Sequence, residues 1–480
     1  MKDLAEAALN AAQVKGAAYA DVRVSHRVQQ NLVVKNGELA AVQDDANEGF
    51  GVRVLVDGAW GFAGSARLEQ AEVPEVVERA VRIARASARV HAEPVDLGDP
   101  VRSTGSYRTP LVRDPFQVPL SEKVELLLRA DRAMGAVKGI TVREGQMEFI
   151  RDRKLFASTE GALTEQELVE SGAAIDATAT TQDDVQNRSY PNSFGRQQGQ
   201  AGFEYVEAMQ LERHAGRIAE EAVALLSAPQ CPSGTMTVIL DASQVGLQIH
   251  ESCGHPTELD RVFGMEAAYA GTSFMTTDKL QRLRYGSEHV SIIADALSPA
   301  GLGTFAWDDE GVPAQRTHLI KEGLFVGYLT SRETARRIGQ ASNGTMRADG
   351  WNRIPLIRMT NVNLEPGQTP LEQMVAEVKD GVYMETNRSW SIDDKRLNFQ
   401  FGTQLAYEIK DGKRGRMLKN ATYAGITPEF WNSCDAVGPQ SEWKLWGLVN
   451  CGKGQPPQLA HVAHGAAPAR FRNVRVGIMK

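Results

Sequence analysis

Two histidines and a glutamate stand close together in IHESCGHPTELD, residues 249–260. Imidazole nitrogens and a neighbouring carboxylate are the groups that hold a divalent metal and move a proton beside it. Spacing is the difficulty. His250 and His255 are one residue further apart than the histidines of H-E-x-x-H, which share one zinc because residues four apart on an α-helix lie only about 40° apart around its axis. Residues five apart lie about 140° apart and about 7.5 Å along the axis. A regular helix therefore separates His250 from His255, whereas a π-type turn with i→i+5 hydrogen bonds returns them to one face. Gly254 loosens this turn, and Pro256 disfavours helix at the residue before it, so the helix is expected to end on His255.

A catalytic zinc takes three protein ligands and keeps a fourth position for water. The third ligand must come from elsewhere: Cys253, Cys434, Cys451 and many carboxylates are available. Cys253 would crowd three ligands into one turn, while Cys434 and Cys451 fall in C-terminal stretches read as loops that fold back. Glu251 follows His250 directly, the position of the general base in H-E-x-x-H enzymes. Two readings compete. One is a helix end with polar residues exposed and a histidine cap. The other is a cysteine peptidase pairing Cys253 with His250 or His255, for which one tight turn makes alignment awkward.

The elements that must position these groups fall in two halves. Residues 1–226 read as an N-terminal α/β domain with antiparallel hairpins. It has a helix near 3–14, strands in YADVRVS, NLVVKNGELAAV and GVRVLVDGAWGFAG, and hairpin turns at Asn36-Gly37 and Asp57-Gly58. Helices follow near 71–87, 121–134 and 205–226. Residues 88–120 and 182–200 read as loops, the second of them mobile. The boundary is placed at SAPQCPSGT, 227–235. Residues 235–480 read as a C-terminal domain with antiparallel sheets, opening with the strand TMTVILD and a helix capped by Ser243 that carries the distorted H-E-x-x-x-H segment. The fold class is α+β.

The chain has 480 residues, 42% of them hydrophobic, 24% charged, with a formal charge of −7. It lacks the basic patch of a nucleic-acid binder. It also lacks an apolar run of about 20 residues, so no membrane span is expected. The N-terminus reads as an amphipathic helix with acids in it, not a secretion signal, and a cytoplasmic location is expected.

Four separated stretches resemble the TldD/PmbA family of peptidases: HESCGHPTELD, WDDEGVPAQ at 307–315, RMTNVNLEPG at 358–367 and NCGKGQ at 450–455. They stand in the family's order, and the last is one residue shorter than the family pattern. The resemblance implies a zinc metallopeptidase with ligands His250, His255 and Cys451 and with Glu251 as base. Because the histidine motif is intact, the chain is similar to the TldD, catalytic type; a non-catalytic scaffold subunit like PmbA is the alternative. The resemblance further implies a homodimer, or a heterodimer with a PmbA/TldE-like paralogue, that encloses the site and takes unfolded or extended peptides, including peptide precursors.

Asp308, Asp309 and Glu310 are expected either to touch substrate or a metal-bound histidine, or simply to form an acidic turn. Arg358 is read as a binder of a peptide carboxylate or as a salt-bridge partner. Glu258 and Asp260 could orient a histidine. His461 and His464, three apart in HVAHG, are expected in a surface loop, with a second metal site as the alternative.

Overall fold

The computed structural model describes residues 1–90 and 93–477. His91 and Ala92, in the first expected loop, lie outside the described residues. The fold is α+β, with two large sheets in sequence. The first sheet has eight strands, built on long antiparallel ribbons. Tyr19–Lys35 pairs with Glu38–Val56 and with Ile140–Ser158, and the last of these pairs with Leu163–Thr180. Both hairpin turns arise from the expected dipeptides. Asn36 and Gly37 have φ of 49° and 86°, and Asp57 and Gly58 have 52° and 78°. That is the turn whose twist matches paired strands.

Helices cover the sheet on an apolar stripe. Lys2–Val14 and Val73–Ala88 bury Leu4, Ala8, Val77 and Val81 against Val22, Val52 and Val54. Leu120–Gly135 and Leu211–Ser227 bury Leu127, Met134, Ile218 and Ala222 against Phe149 and Ile175. The expected single helix at 205–226 is two, Glu204–Ala208 and Leu211–Ser227, broken at Gln210, whose φ is +50°. The stretch 182–200 is not simply a loop. Its strands Val185–Tyr190 and Gln197–Gly199 both pair with Leu163–Thr180, which its polar composition concealed.

The second large sheet has seven strands, among them Gly234–Leu240, Asp380–Ile392, Asn398–Lys410 and Ala469–Val476. A four-stranded sheet, the short pair Met346–Arg347/Leu356–Ile357 and the hairpin Lys444–Lys453/Gln458–Ala466 complete this half. Buried ion pairs bolt the halves together. Arg53 binds Asp21 at 2.7 Å and Glu310 at 3.3 Å, and Lys154 binds Asp309 at 2.9 Å. Among the described residues no helix is long and apolar enough to cross a membrane.

Candidate metal centre

The helix Ala242–Ile249 is capped two residues earlier than its sequence suggests. Asp241, not Ser243, is the cap, and its carboxylate accepts from the backbone N–H groups of Ser243 and Gln244 at 2.8 and 3.2 Å. The helix runs into a π-helical turn, His250–Gly254, closed by the His255 N–H on the His250 carbonyl. The wide turn brings the two imidazoles together, with ring centroids 4.7 Å apart. Its neighbours show why it holds. Pro256 has no N–H for the Ser252 carbonyl four residues back, and the Tyr285 hydroxyl donates to that oxygen instead, at 3.0 Å. The Thr257 hydroxyl lies 2.8 and 2.9 Å from the carbonyls of Cys253 and Gly254. Gly254 packs on Met359 so closely that a Cβ would sit 2.2 Å from the sulfur.

Cys451 comes from the strand Lys444–Lys453, not from a loop. Its Sγ lies 3.7 Å from His255 Nε2, and the ligand atoms of His250, His255 and Cys451 all fall within 4.8 Å of one another. All three residues are buried. The other thiols stay out of the cluster. Cys253 is fully buried in the apolar core, which pushes its thiol far up and leaves no thiolate for a nucleophile. Cys434, on the strand Cys434–Val437, turns its sulfur to the Ala436 carbonyl.

Hydrogen bonds fix which ring nitrogens are free. His464 Nδ1 lies 3.0 Å from the Val362 carbonyl, which can only accept, so the proton sits on His464 Nδ1. Burial keeps His464 and His250 neutral, the latter pushed down to about 4. His464 Nε2 therefore accepts from His250 Nδ1, 2.7 Å away, and the lone pair of His250 is left on Nε2. In the same way His255 Nδ1 meets the Glu258 carboxylate at 3.0 Å and keeps its lone pair on Nε2. Burial disfavours the Glu258 charge, but Lys453 and His255 outweigh it and hold that carboxyl well below its usual range. Lys453, wholly buried, also binds Asp260 at 2.7 Å. Burial likewise opposes a thiolate at Cys451, yet the Arg358 guanidinium outweighs it and draws the thiol below its ordinary value. Two imidazole lone pairs and an acidified thiol suit a divalent metal of the zinc type.

Sequence reasoning missed His464. It is not in a surface loop but on the strand Gln458–Ala466, where Ala460, Val462 and His464 alternate on a buried face. His461 points away and pairs with Glu170 at 2.6 Å, so the two do not form a second metal site. Outer partners of ligating histidines typically account for 10–100-fold in metal affinity. His464→Ala is thus expected to weaken zinc binding by roughly 10–100-fold, read by competition with a chelating dye. An unchanged affinity would show that His250 needs no outer partner.

Glu251 is buried and its Oε2 accepts from Arg396 Nη1. Asp308, Asp309 and Glu310 are also buried. Asp308 accepts from the backbone of Glu310, Val312 and Met346, Asp309 meets Lys154 and the Ala348 N–H, and Glu310 meets Arg53 and the Arg332 N–H. Arg358 donates to the carbonyls of Cys451 and Gln458, with no carboxylate partner among the described residues. Asp308, Asp309 and Arg358 line a cavity of about 420 Å³ between the two halves.

Three stretches match the PmbA/TldA metallopeptidase domains: domain 1 over residues 20–84, the central domain over 113–228 and the C-terminal domain over 233–477. A metalloprotease of Methanothermobacter thermautotrophicus is 30% identical over 459 residues, 96% of this chain and 95% of the relative. A zinc metalloprotease TldD homolog of Saccharolobus solfataricus is 21% identical over 472 residues, 97% and 98% of the two chains. The crystal structure of TldE from Thermococcus kodakarensis shares the fold, with a TM-score of 0.77 at 17% identity over 99% of this chain and 100% of that one.

Proposed function

The chain belongs to the PmbA/TldD metallopeptidase family, and from that premise we propose that it is a zinc-dependent peptidase of unfolded or extended peptides, peptide precursors among them. One observation carries the reading. His250 Nε2, His255 Nε2 and Cys451 Sγ converge, and the second nitrogen of each imidazole is already committed to His464 or Glu258. A metal gives those lone pairs and the thiol a common use. Bound there, zinc would supply Lewis acidity and a water acidified toward neutral pH.

Glu251, next to His250, takes the proton of the attacking water and returns it to the leaving amine. Asp308, Asp309 and Arg358 are the proposed substrate contacts, from the cavity wall, and Glu310 steadies the acidic turn through Arg53. Dimerisation, with a second copy or a PmbA/TldE-like paralogue, would enclose this site and keep folded proteins out, and a cytoplasmic location suits its free thiols.

Purification without chelator followed by elemental analysis should give about one zinc per chain. The same preparation should cut an unstructured peptide, spare its folded parent protein, and lose activity to a chelator. Absence of metal would overturn the reading. Full zinc without cleavage, alone or with a paralogue, would favour the scaffold role.

A further inference from the structure

Arg396 reaches Glu251 from a distant element. It sits in the turn that joins Asp380–Ile392 to Asn398–Lys410, with φ of +64°. A side-chain-bearing residue keeps that conformation only where its surroundings impose it, and here they do. The Asp393 carboxylate accepts from the N–H groups of Leu397 and Asn398 at 2.8 and 3.1 Å. Thr427 Oγ1 donates to the Arg396 carbonyl at 3.0 Å. The N–H groups of Thr272 and Phe274 hold the carbonyls of Asp394 and Lys395 at 2.8 and 2.9 Å. The backbone is pinned on three sides and aims one guanidinium at the carboxylate beside the metal ligands.

The guanidinium is only partly used. Nη1 donates to Glu251 Oε2, while Nε is buried without a partner. Among the described residues no hydrogen bond reaches Nη2 of Arg396 or Oε1 of Glu251. Buried donors are nearly always satisfied, and a catalytic role is one of the recognised reasons for an orphan beside a reactive centre. The spare donors and the spare acceptor belong to the two partners of one ion pair.

We propose that Arg396 is a further catalytic residue, donating to the scissile carbonyl oxygen of the peptide while Glu251 works as base; this rests on the peptidase reading above. In the step, an O–H bond of water breaks and its proton goes to Glu251 Oε1. The water oxygen bonds to the carbonyl carbon, and the C=O π pair moves onto the carbonyl oxygen, where the Arg396 N–H groups meet the developing charge. The pair returns, the C–N bond breaks, and the amine leaves with the proton from Glu251. A fixed donor aimed at developing charge stabilises the transition state more than the bound peptide.

The test compares parent, Arg396→Ala and Arg396→Lys in the assembly where the parent is active. Ala should lower kcat by about 100-fold or more with KM and zinc content nearly unchanged, and Lys should restore part of the rate. Independently of turnover, calorimetry should show a phosphinic peptide, which mimics the tetrahedral carbon, binding the Ala variant weaker by a similar factor. An uncut substrate peptide on metal-free protein should bind both alike. Arg396→Met, which keeps the stem, repeats the measurement if Ala fails to fold. Parental kcat in Ala or Met, or equal weakening of both peptides, would overturn the role of Arg396 and leave the peptidase reading intact. A zinc-loaded parent that neither cuts peptides nor prefers the phosphinic one would sink the peptidase reading itself.

Discussion

Glu251→Gln is expected to lower kcat by roughly 10³-fold while the protein keeps its zinc, because a positioned proton-transfer group contributes about 10²–10⁴-fold. Gln is the informative substitution. The side chain is buried, and its Oε2 satisfies Arg396. Ala would leave that guanidinium facing a hole, and breaking a buried ion pair from one side costs about 3–5 kcal/mol. Gln keeps the shape and can still accept from Arg396, but it cannot take a proton. Glu251 is also outside the convergent set of His250, His255 and Cys451, so its loss leaves the ligands alone. Single-turnover cleavage and elemental analysis on one preparation decide the matter. A variant with parental kcat would remove Glu251 from the chemistry. A variant that loses zinc as well would recast Glu251 as a support of the metal.

What could be read in the sequence was local. Asn36-Gly37 and Asp57-Gly58 announce their hairpins because their left-handed conformations are written in the residue types. The π-turn was foreseeable as a permitted distortion, since Gly254 and Pro256 weaken the helix where the histidine spacing needs it. What remained hidden was tertiary. Residue chemistry alone does not separate Cys451 from Cys434; the resemblance of NCGKGQ points to Cys451, and the pairing of Cys451 with Ala460 in the hairpin, beside the buried face that carries His464, shows physically how that thiol is set by the histidines. His464 had a faint signal. Read as a strand, QLAHVAHGA puts Ala460, Val462 and His464 on one face, and a histidine in such company is a buried, bonded one. Arg396 had none, because a turn residue reaching a base far back in the chain is visible only in three dimensions.

The electrostatics around His250, His255 and Cys451 are as organised as the cluster itself. His255 is followed outward by Glu258, then Lys453, then Asp260, an alternating series of buried charges. His250 is followed by His464 and a backbone carbonyl, a neutral series. One imidazole is thus backed by an anion and donates more strongly to a metal, and the other is oriented without added charge. Were a metal bound with a thiolate as third ligand, the neutral arm would keep the cluster from gathering excess negative charge.

That balance makes Cys451→Ser the sharpest test of the metal centre. Serine is nearly isosteric but stays a neutral alcohol where a metal-bound thiol would ionise. The Cys451 sulfur already lies 3.7 Å from His255 Nε2, and the Arg358 guanidinium draws its thiol below the ordinary value against burial. Removing an outer partner such as His464 weakens metal by about 10–100-fold, so losing a charged ligand should exceed that, and zinc should be nearly absent after dialysis against a mild chelator. The fold should survive, because a hydroxyl in the small space of the sulfur leaves the hairpin bonds from Arg358 to the Cys451 and Gln458 carbonyls in place. Unchanged circular dichroism with lost zinc and lost cleavage is the expected result. Zinc retained at parental affinity would mean that the third ligand is another group, and the buried Glu258 beside His255 would then have to turn inward to supply it.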